Sequence, residues 1–234
     1  MGFDTFLLVD LLGTVWHDKE ETRQLRKLER SRILSRIYGI NTNRAEKAIN
    51  YLHEVIRRYK RHFKVPSPEY QLTAVLAFLD IPSSEIHTLY PLWFETLLEH
   101  PPIIDYAFLS ALEKLKREKN IVIGAYVGMD CEAEKYIREL LSISGFLHIF
   151  DSILVSSSMT FIPPSPLAFS YIPPPGVFIR TIGISSNAPS LKSMVLAGYK
   201  NIYKWNSSDA ECTEESIFDT LKDYSEIITK ISIL

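Results

Sequence analysis

At Pro101-Pro102 the hydrophobic pattern of the chain changes its period, and this change constrains the fold more than any other feature. Ahead of it, apolar residues recur at helical spacing. Leu25, Leu28, Ile33, Leu34 and Ile37 mark one side of a first helix, closed by Gly39. Ala45, Ala48, Ile49, Leu52, Val55, Ile56, Tyr59 and Phe63 mark a second, broken by Pro66 and Pro68. Leu72, Val75, Leu76 and Leu79 mark a third, and residues 86–98 a fourth that Pro91 starts or bends. Beyond the prolines, short apolar runs alternate with helical stretches. Strands are expected at 121–126, 153–155, 177–184 and 201–204. Helices are expected at 107–116, at 131–141 behind an Asp130 cap, at 191–196 before Gly198, and from Thr213 to about Tyr224. One more strand, Phe6-Leu7-Leu8-Val9, opens the chain and ends in the turn at Gly13. Alternating strands and helices predict an α/β fold with a parallel sheet between helical layers. The four helices before Pro101 read as an insertion, giving a core of 1–16 and 101–234 and a helical cap of 17–100.

With 234 residues, 46% of them hydrophobic, the chain can bury a sizeable core. Its uninterrupted apolar runs stay far below the roughly 20 residues that span a bilayer. No basic-then-apolar leader pattern opens it, and Cys131 and Cys212 have neither metal-site nor disulfide-framework spacing. The expectation is a soluble cytoplasmic protein with no membrane partner. The near-even balance of 26 Lys+Arg against 28 Asp+Glu hides an asymmetry. Residues 17–64 hold 14 Lys+Arg against 6 Asp+Glu, a net of +8 that leaves −10 for the rest. Such a block either focuses an anion or a nucleic-acid backbone, or is a solvated helical face. No RNA-binding, zinc or Gly-rich stacking motif accompanies it, so nucleic acid is the weakest partner reading. The partner expected is an unidentified small molecule or protein.

Sites in open α/β sheets form at the carboxyl ends of strands. After the first strand comes Asp10-Leu11-Leu12-Gly13-Thr14. An Asp there either projects into the crevice as a nucleophile or caps its own turn, and spacing alone leaves both open.

These residues, in this order, resemble the haloacid dehalogenase superfamily over nearly the whole chain. Asp10-x-x-Gly13-Thr14 occupies the family's first motif, and the stretch 17–100 sits where the family inserts a cap. Phe150-Asp151-Ser152 and the helix ending at Gly198 look like its later βα units. The resemblance implies a three-layer core with a mainly parallel sheet, plus an inserted helical cap. The family's phosphatases carry a second Asp two positions after the nucleophile, where this chain has Leu12. The 2-haloacid dehalogenases have an aromatic residue there and need no metal, and Ser185-Ser186-Asn187-Ala188 resembles their Ser-Ser-Asn-Ala stretch. That branch is the closer in motif style. It implies Asp10, Thr14, Ser185 and Asn187 as catalytic candidates, and Leu12, Val127 and Gly128 as substrate-binding positions. Arg57 or Arg58 of the cap would meet a substrate anion. No cofactor is implied. With no Asp or Glu between Gly183 and Lys192, Asp10 is the only charged ligand among these motifs, which argues against magnesium.

The chain departs from the family pattern at several places. The second motif usually ends in Ser or Thr, and here it is Val127-Gly128. The third uses a Lys where Pro163 stands, and the dehalogenases' Asp three residues beyond the motif-four Asn is Ser190. The segment 169–182, with Pro173-Pro174-Pro175, is too short for the usual crossover helix. Without a neighbouring ammonium, a partly buried Asp10 should have a raised pKa that favours the neutral, non-nucleophilic acid. Depletion at Leu12, Val127, Pro163 and Ser190 points to lost or greatly reduced catalysis and a binding or scaffold role. The alternative is a divergent metal-independent hydrolase, in which Asp10 displaces a leaving group from carbon and water cleaves the resulting ester. A further alternative is an anion- or RNA-contacting module that uses the basic cap.

Overall fold

The computed structural model describes residues 4–170, 172–173, 176–205 and 218–233. In chain order, β1 (Thr5–Asp10) and β2 (Trp16–His17) precede four helices, α1 (Glu20–Tyr38), α2 (Thr42–Lys60), α3 (Pro68–Phe78) and α4 (Ile86–Glu99). β3 (Ile103–Ile104) pairs antiparallel with β2, so the chain leaves and rejoins the sheet region through a two-stranded ribbon. There follow α5 (Tyr106–Glu118), β4 (Ile121–Val127), α6 (Glu134–Ile143), β5 (Ser152–Val155), β6 (Arg180–Ser185), α7 (Ala188–Leu196), β7 (Asn201–Trp205), β8 (Asp219–Leu221) and α8 (Tyr224–Ile233). Six strands form one parallel sheet in the order β5-β4-β1-β6-β7-β8. This is the α/β architecture that the alternation predicts.

β1 is central because Phe6 to Val9 is a continuous apolar run, which suits a strand covered on both faces. The chain steps outward from β1 to β4 and β5, then returns to its other side for β6, β7 and β8. The carboxyl end of β1 therefore opens at the point where the direction of winding reverses, between β4 and β6.

Side chains alternate between the faces with a period of two. Leu7, Val9 and Leu11 point to one face and join a cluster that includes Phe108 and Leu112 of α5. The same cluster continues without a break into Ile33, Leu52, Leu76 and Trp93 of the four helices. Phe6 and Leu8 point the other way, onto Tyr126, Met194, Tyr199, Ala168 and Phe169. Between β5 and β6 the described residues hold only the single turn Ser156–Ser158 and no longer helix, as the prolines predict. Phe169 fills part of that space, its ring edge-on to Tyr126 with 5.1 Å between centroids.

Several expected elements are corrected. On α1 the inward face is Arg26, Arg30, Ser31, Ile33 and Leu34, whereas Leu25 and Leu28 are 47% and 38% exposed. The spacing i, i+4, i+7, i+8 is helical as predicted, but two arginines belong to it because carboxylates lie beneath them. Asp130 does not cap a helix at 131: α6 begins at Glu134 behind Ala133, and the Asp130 carboxylate meets Lys60 Nζ at 2.7 Å. Pro91 lies inside α4 and does not start it. The fourth expected strand begins at Arg180, not 177, where the Ile179 and Arg180 amides both turn onto the Asp4 carbonyl. Thr213 and Cys212 lie outside the described residues. Residues 219–221 are strand, not helix, and the last helix begins at Tyr224, where the Asp223 carboxylate accepts from the Ser225 and Glu226 amides. No helix among the described residues is long and apolar enough to cross a membrane.

Candidate functional site

The two-residue alternation puts Asp10, Tyr126 and Ser185 on the same face at the ends of three adjacent strands. After Asp10 the chain turns tightly, and the Val15 and Trp16 amides both donate to the Leu11 carbonyl, at 2.8 and 2.7 Å. Gly13 makes this turn with φ of +83°, and a Cβ there would sit 3.0 Å from Ser186 Oγ. Thr14 Oγ1 accepts from the Ser186 amide at 2.9 Å, so the turn after β1 is bolted to the loop after β6.

Asp10 is 1% exposed, and Ser185 Oγ donates to its Oδ2 at 2.9 Å. The Asn187 amide donates to the same Ser185 oxygen, also at 2.9 Å. Ser190 faces the carboxylate from α7 without closing a hydrogen bond. Burial pushes the Asp10 carboxyl up to about 6, against smaller opposing pulls from Ser190, Ser185 and the Leu12 amide. No cation is among the groups acting on it. The direction is the one expected for a buried carboxylate with no ammonium beside it. A value near 6 nevertheless leaves the group mostly ionised at pH 7. Tyr126 was not anticipated; it pairs in register with Asp10, and its hydroxyl is held well above the usual range by burial and by the Asp10 and Asp130 charges.

The structure thus brings together Asp10, Thr14, Ser185 and the Asn187 backbone. The Asn187 side chain is exposed and does not cap α7. Val127 is buried in the apolar cluster, whereas Leu12 and Gly128 line a cavity of about 300 Å³. Arg57 and Arg58 are largely exposed and both lie against Glu54; Arg57 lines a groove along α2, and neither is among the groups acting on Asp10.

That cavity lies between α1, α2 and the loop joining β4 to α6, and Asp10 is not part of its wall. Its cations are Arg23, Arg26, Lys27, Arg30 and Lys60, against Asp18, Asp130 and Glu132. The buried members form a network. Arg30 Nη2 donates to both Glu132 oxygens at 2.9 and 2.8 Å, and its Nε reaches the Trp93 carbonyl and Thr96 Oγ1 at 3.1 Å. Arg26 donates to Asp18 Oδ1 at 2.6 Å and to the His100 carbonyl at 2.8 Å. Burial raises the Glu132 carboxyl, and the two arginines oppose it. His53, also on the wall, is held below its ordinary value by burial and then by Lys27, Arg30 and Arg57. Cys131 offers no thiolate, because burial pushes its thiol up to about 12. Arg26, Arg30 and Glu132 escaped the sequence reading; the available signal was that Arg26 and Arg30 fall in line with Ile33, Leu34 and Ile37.

No protein-family model and no curated protein sequence matches the chain. Solved structures do. A 2-haloacid dehalogenase from Pseudomonas syringae pv. Tomato DC3000 superposes with a TM-score of 0.69 at 14% identity, over 98% of this chain and 99% of that one. A haloacid-dehalogenase-type phosphatase from Thermococcus onnurineus gives 0.57 at 16% identity, over 97% of each chain. A subfamily IA hydrolase of the same superfamily from Geobacter sulfurreducens PCA gives 0.54 at 16% identity, over 98% of this chain and 97% of that one.

Proposed function

We propose that this chain, which has the haloacid dehalogenase fold, has lost most or all hydrolytic chemistry at Asp10 and works as a binding protein. One observation carries the reading: Asp10 is 1% exposed, has no cation acting on it and lies off the cavity wall. Nucleophilic attack requires reacting atoms about 3–3.5 Å apart, and no approach to this carboxylate is open. Charge developing on a leaving group would meet only serine hydroxyls, and the loss of positioned donors or cations costs orders of magnitude in rate. Access and missing charge limit the chemistry more than protonation does.

The residues present do not fit magnesium. Leu12 and the hydroxyls of Ser185 and Ser190 surround Asp10 where a hard cation needs further carboxylate oxygens. Among the described residues no group of three or more His, Cys, Asp and Glu could hold a metal.

A second reading, metal-independent hydrolysis, is favoured by the ionised state of Asp10 at pH 7 and its hydrogen bond from Ser185. It needs the Leu11–Gly13 turn to move aside. Single-turnover assays with stoichiometric protein separate the two. The panel holds 2-haloacids, an aryl phosphate and small esters, with and without magnesium, beside Asp10→Asn. No turnover above the Asp10→Asn control is expected; turnover that depends on Asp10 would overturn the loss of catalysis.

A further inference from the structure

We infer that the cavity between α1, α2 and the β4–α6 loop, with the groove continuing it along α2, binds a small organic dianion: two carboxylate or phosphate groups joined by a short apolar spacer. This gives the binding role proposed above a ligand class and rests on that reading.

The charges decide the matter. Every carboxylate on the cavity wall is already engaged: Asp18 by Arg26, Glu132 by Arg30 and Asp130 by Lys60. Lys27 is left without an ion-pair partner among the described residues, with His53 beside it on the wall. The groove shares His53, Lys60, Asp130 and Cys131 with the cavity and adds Arg57 and Arg61. Arg61 also has no ion-pair partner among the described residues, and Arg57 holds Glu54 on the solvent side. Burial first, and then Lys27, Arg30 and Arg57, hold His53 below its ordinary value, in keeping with those unpaired cations.

Geometry sets the ligand's shape. His53, Arg57 and Lys60 share one face of α2 and Arg61 follows as its C-cap, so His53 to Arg61 spans about 12 Å along the axis. One anionic group fits between Lys27 and His53, and the other meets Arg61 beside Arg57. Between them the groove carries Ile56, and the cavity on the other side of His53 carries Ile49, Leu12 and Met129, apolar surface that suits hydrocarbon. The inner end stops against the buried Arg26–Arg30–Glu132 network, so a long polyanion cannot thread through. A volume of about 300 Å³ is at the small end of ligand pockets, and suits a molecule of this size.

The test follows the His53 ring by NMR across a pH titration, with calorimetry, using adipate, the bis(methyl phosphate) of 1,5-pentanediol (one negative charge at each end, like adipate), hexanoate and a uridylate oligomer as probes. The charged groups facing His53 are Lys27 and Arg30 from α1, Arg57 and Lys60 from α2, and Asp130 from the β4–α6 loop. A bound anion opposes those cations, so adipate or the bis(methyl phosphate) should raise the His53 pKa by about half a unit or more. Whichever of the two binds more tightly distinguishes carboxylate from phosphate ends. Lys27→Gln and Arg61→Gln should each weaken dianion binding about tenfold, the effect of losing one charge-assisted hydrogen bond. Arg58→Gln should leave it unchanged, and hexanoate should bind weakly and ignore Arg61→Gln. No shift of His53 by either dianion, or dianion binding indifferent to Lys27→Gln, overturns the inference. Tighter binding of the oligomer, dependent on Arg61 but not Lys27, overturns it in favour of a nucleic acid. The same titration on Asp10→Asn keeps the two claims apart. Dianion binding that persists while wild-type protein hydrolyses substrates refutes only the loss of catalysis. A silent cavity in a protein without turnover refutes only the dianion site.

Discussion

Asp10 carries its charge where water cannot reach it, and this has a consequence for stability. The unfolded chain releases the Asp proton near 3.8, whereas the folded chain keeps it until about 6. Between those values the native state binds more protons, so stability falls as pH rises from about 4 to about 6 and stays lower above that. The difference corresponds to about 3 kcal/mol at most. An amide at this position still accepts from Ser185 Oγ but has no charge to desolvate. Asp10→Asn is therefore expected to gain on the wild type by up to about 3 kcal/mol between pH 4 and pH 7 in urea unfolding. Parallel stability curves for the two proteins would show that the burial carries no such cost. At this scale Asp10 and Ser185 were legible because each ends a short apolar run, the mark of a strand end. Ser190 was legible only as a missing acid. Its place beside Asp10 depends on how α7 docks, which no local pattern encodes.

At the scale of elements, α1 shows what a period can and cannot say. The helical spacing was right, but counting only apolar residues shifted the inward face by one position, onto Leu25 and Leu28. Long guanidinium side chains can be buried when carboxylates and carbonyls meet them, and the Glu132 that meets Arg30 lies 102 positions further along the chain. Removing that one negative charge leaves the buried Arg30 guanidinium without a carboxylate, while Arg26 keeps Asp18. Glu132→Gln should cost about 3–5 kcal/mol in urea unfolding, and a loss well under 1 kcal/mol would mean that water reaches the network. β4 carries a second element-scale demand. Gly124 lies in register between Leu8 and Ser152, and a Cβ there would come within 2.7 Å of the Phe6 ring and 2.9 Å of Ser152 Oγ. Gly124→Ala should cost about 1–3 kcal/mol, because strand and ring must both shift, and thermal unfolding would read it directly. Asp130 failed as a helix cap for a reason of the same kind: Lys60, from a distant helix, competes for its carboxylate.

For the whole molecule, the change of period at Pro101-Pro102 was enough to read the α/β class and the run of four helices. It could not say how those helices meet the sheet. Cuts at 16/17 and 100/101 divide two sequence patterns, whereas the apolar cluster runs across both cuts, from Leu7 and Val9 through Trp16 to Leu52 and Trp93. Alternation identifies each element but not which apolar faces are shared. The buried Arg30–Glu132 pair adds a charged tie between the same two parts of the chain. Neither part can expose its share of the cluster without stripping the other of partners, so the two should unfold together. The tryptophans suit a test, since Trp93 lies in α4, Trp16 in the β2–β3 ribbon and Trp205 in the sheet, all buried. Tryptophan fluorescence and far-ultraviolet circular dichroism should report coincident urea transitions, with calorimetric and van't Hoff enthalpies equal. In single-tryptophan variants, loss of the Trp93 signal ahead of Trp205 would show that the helices release first. The shared core would then be a contact between two independently stable parts.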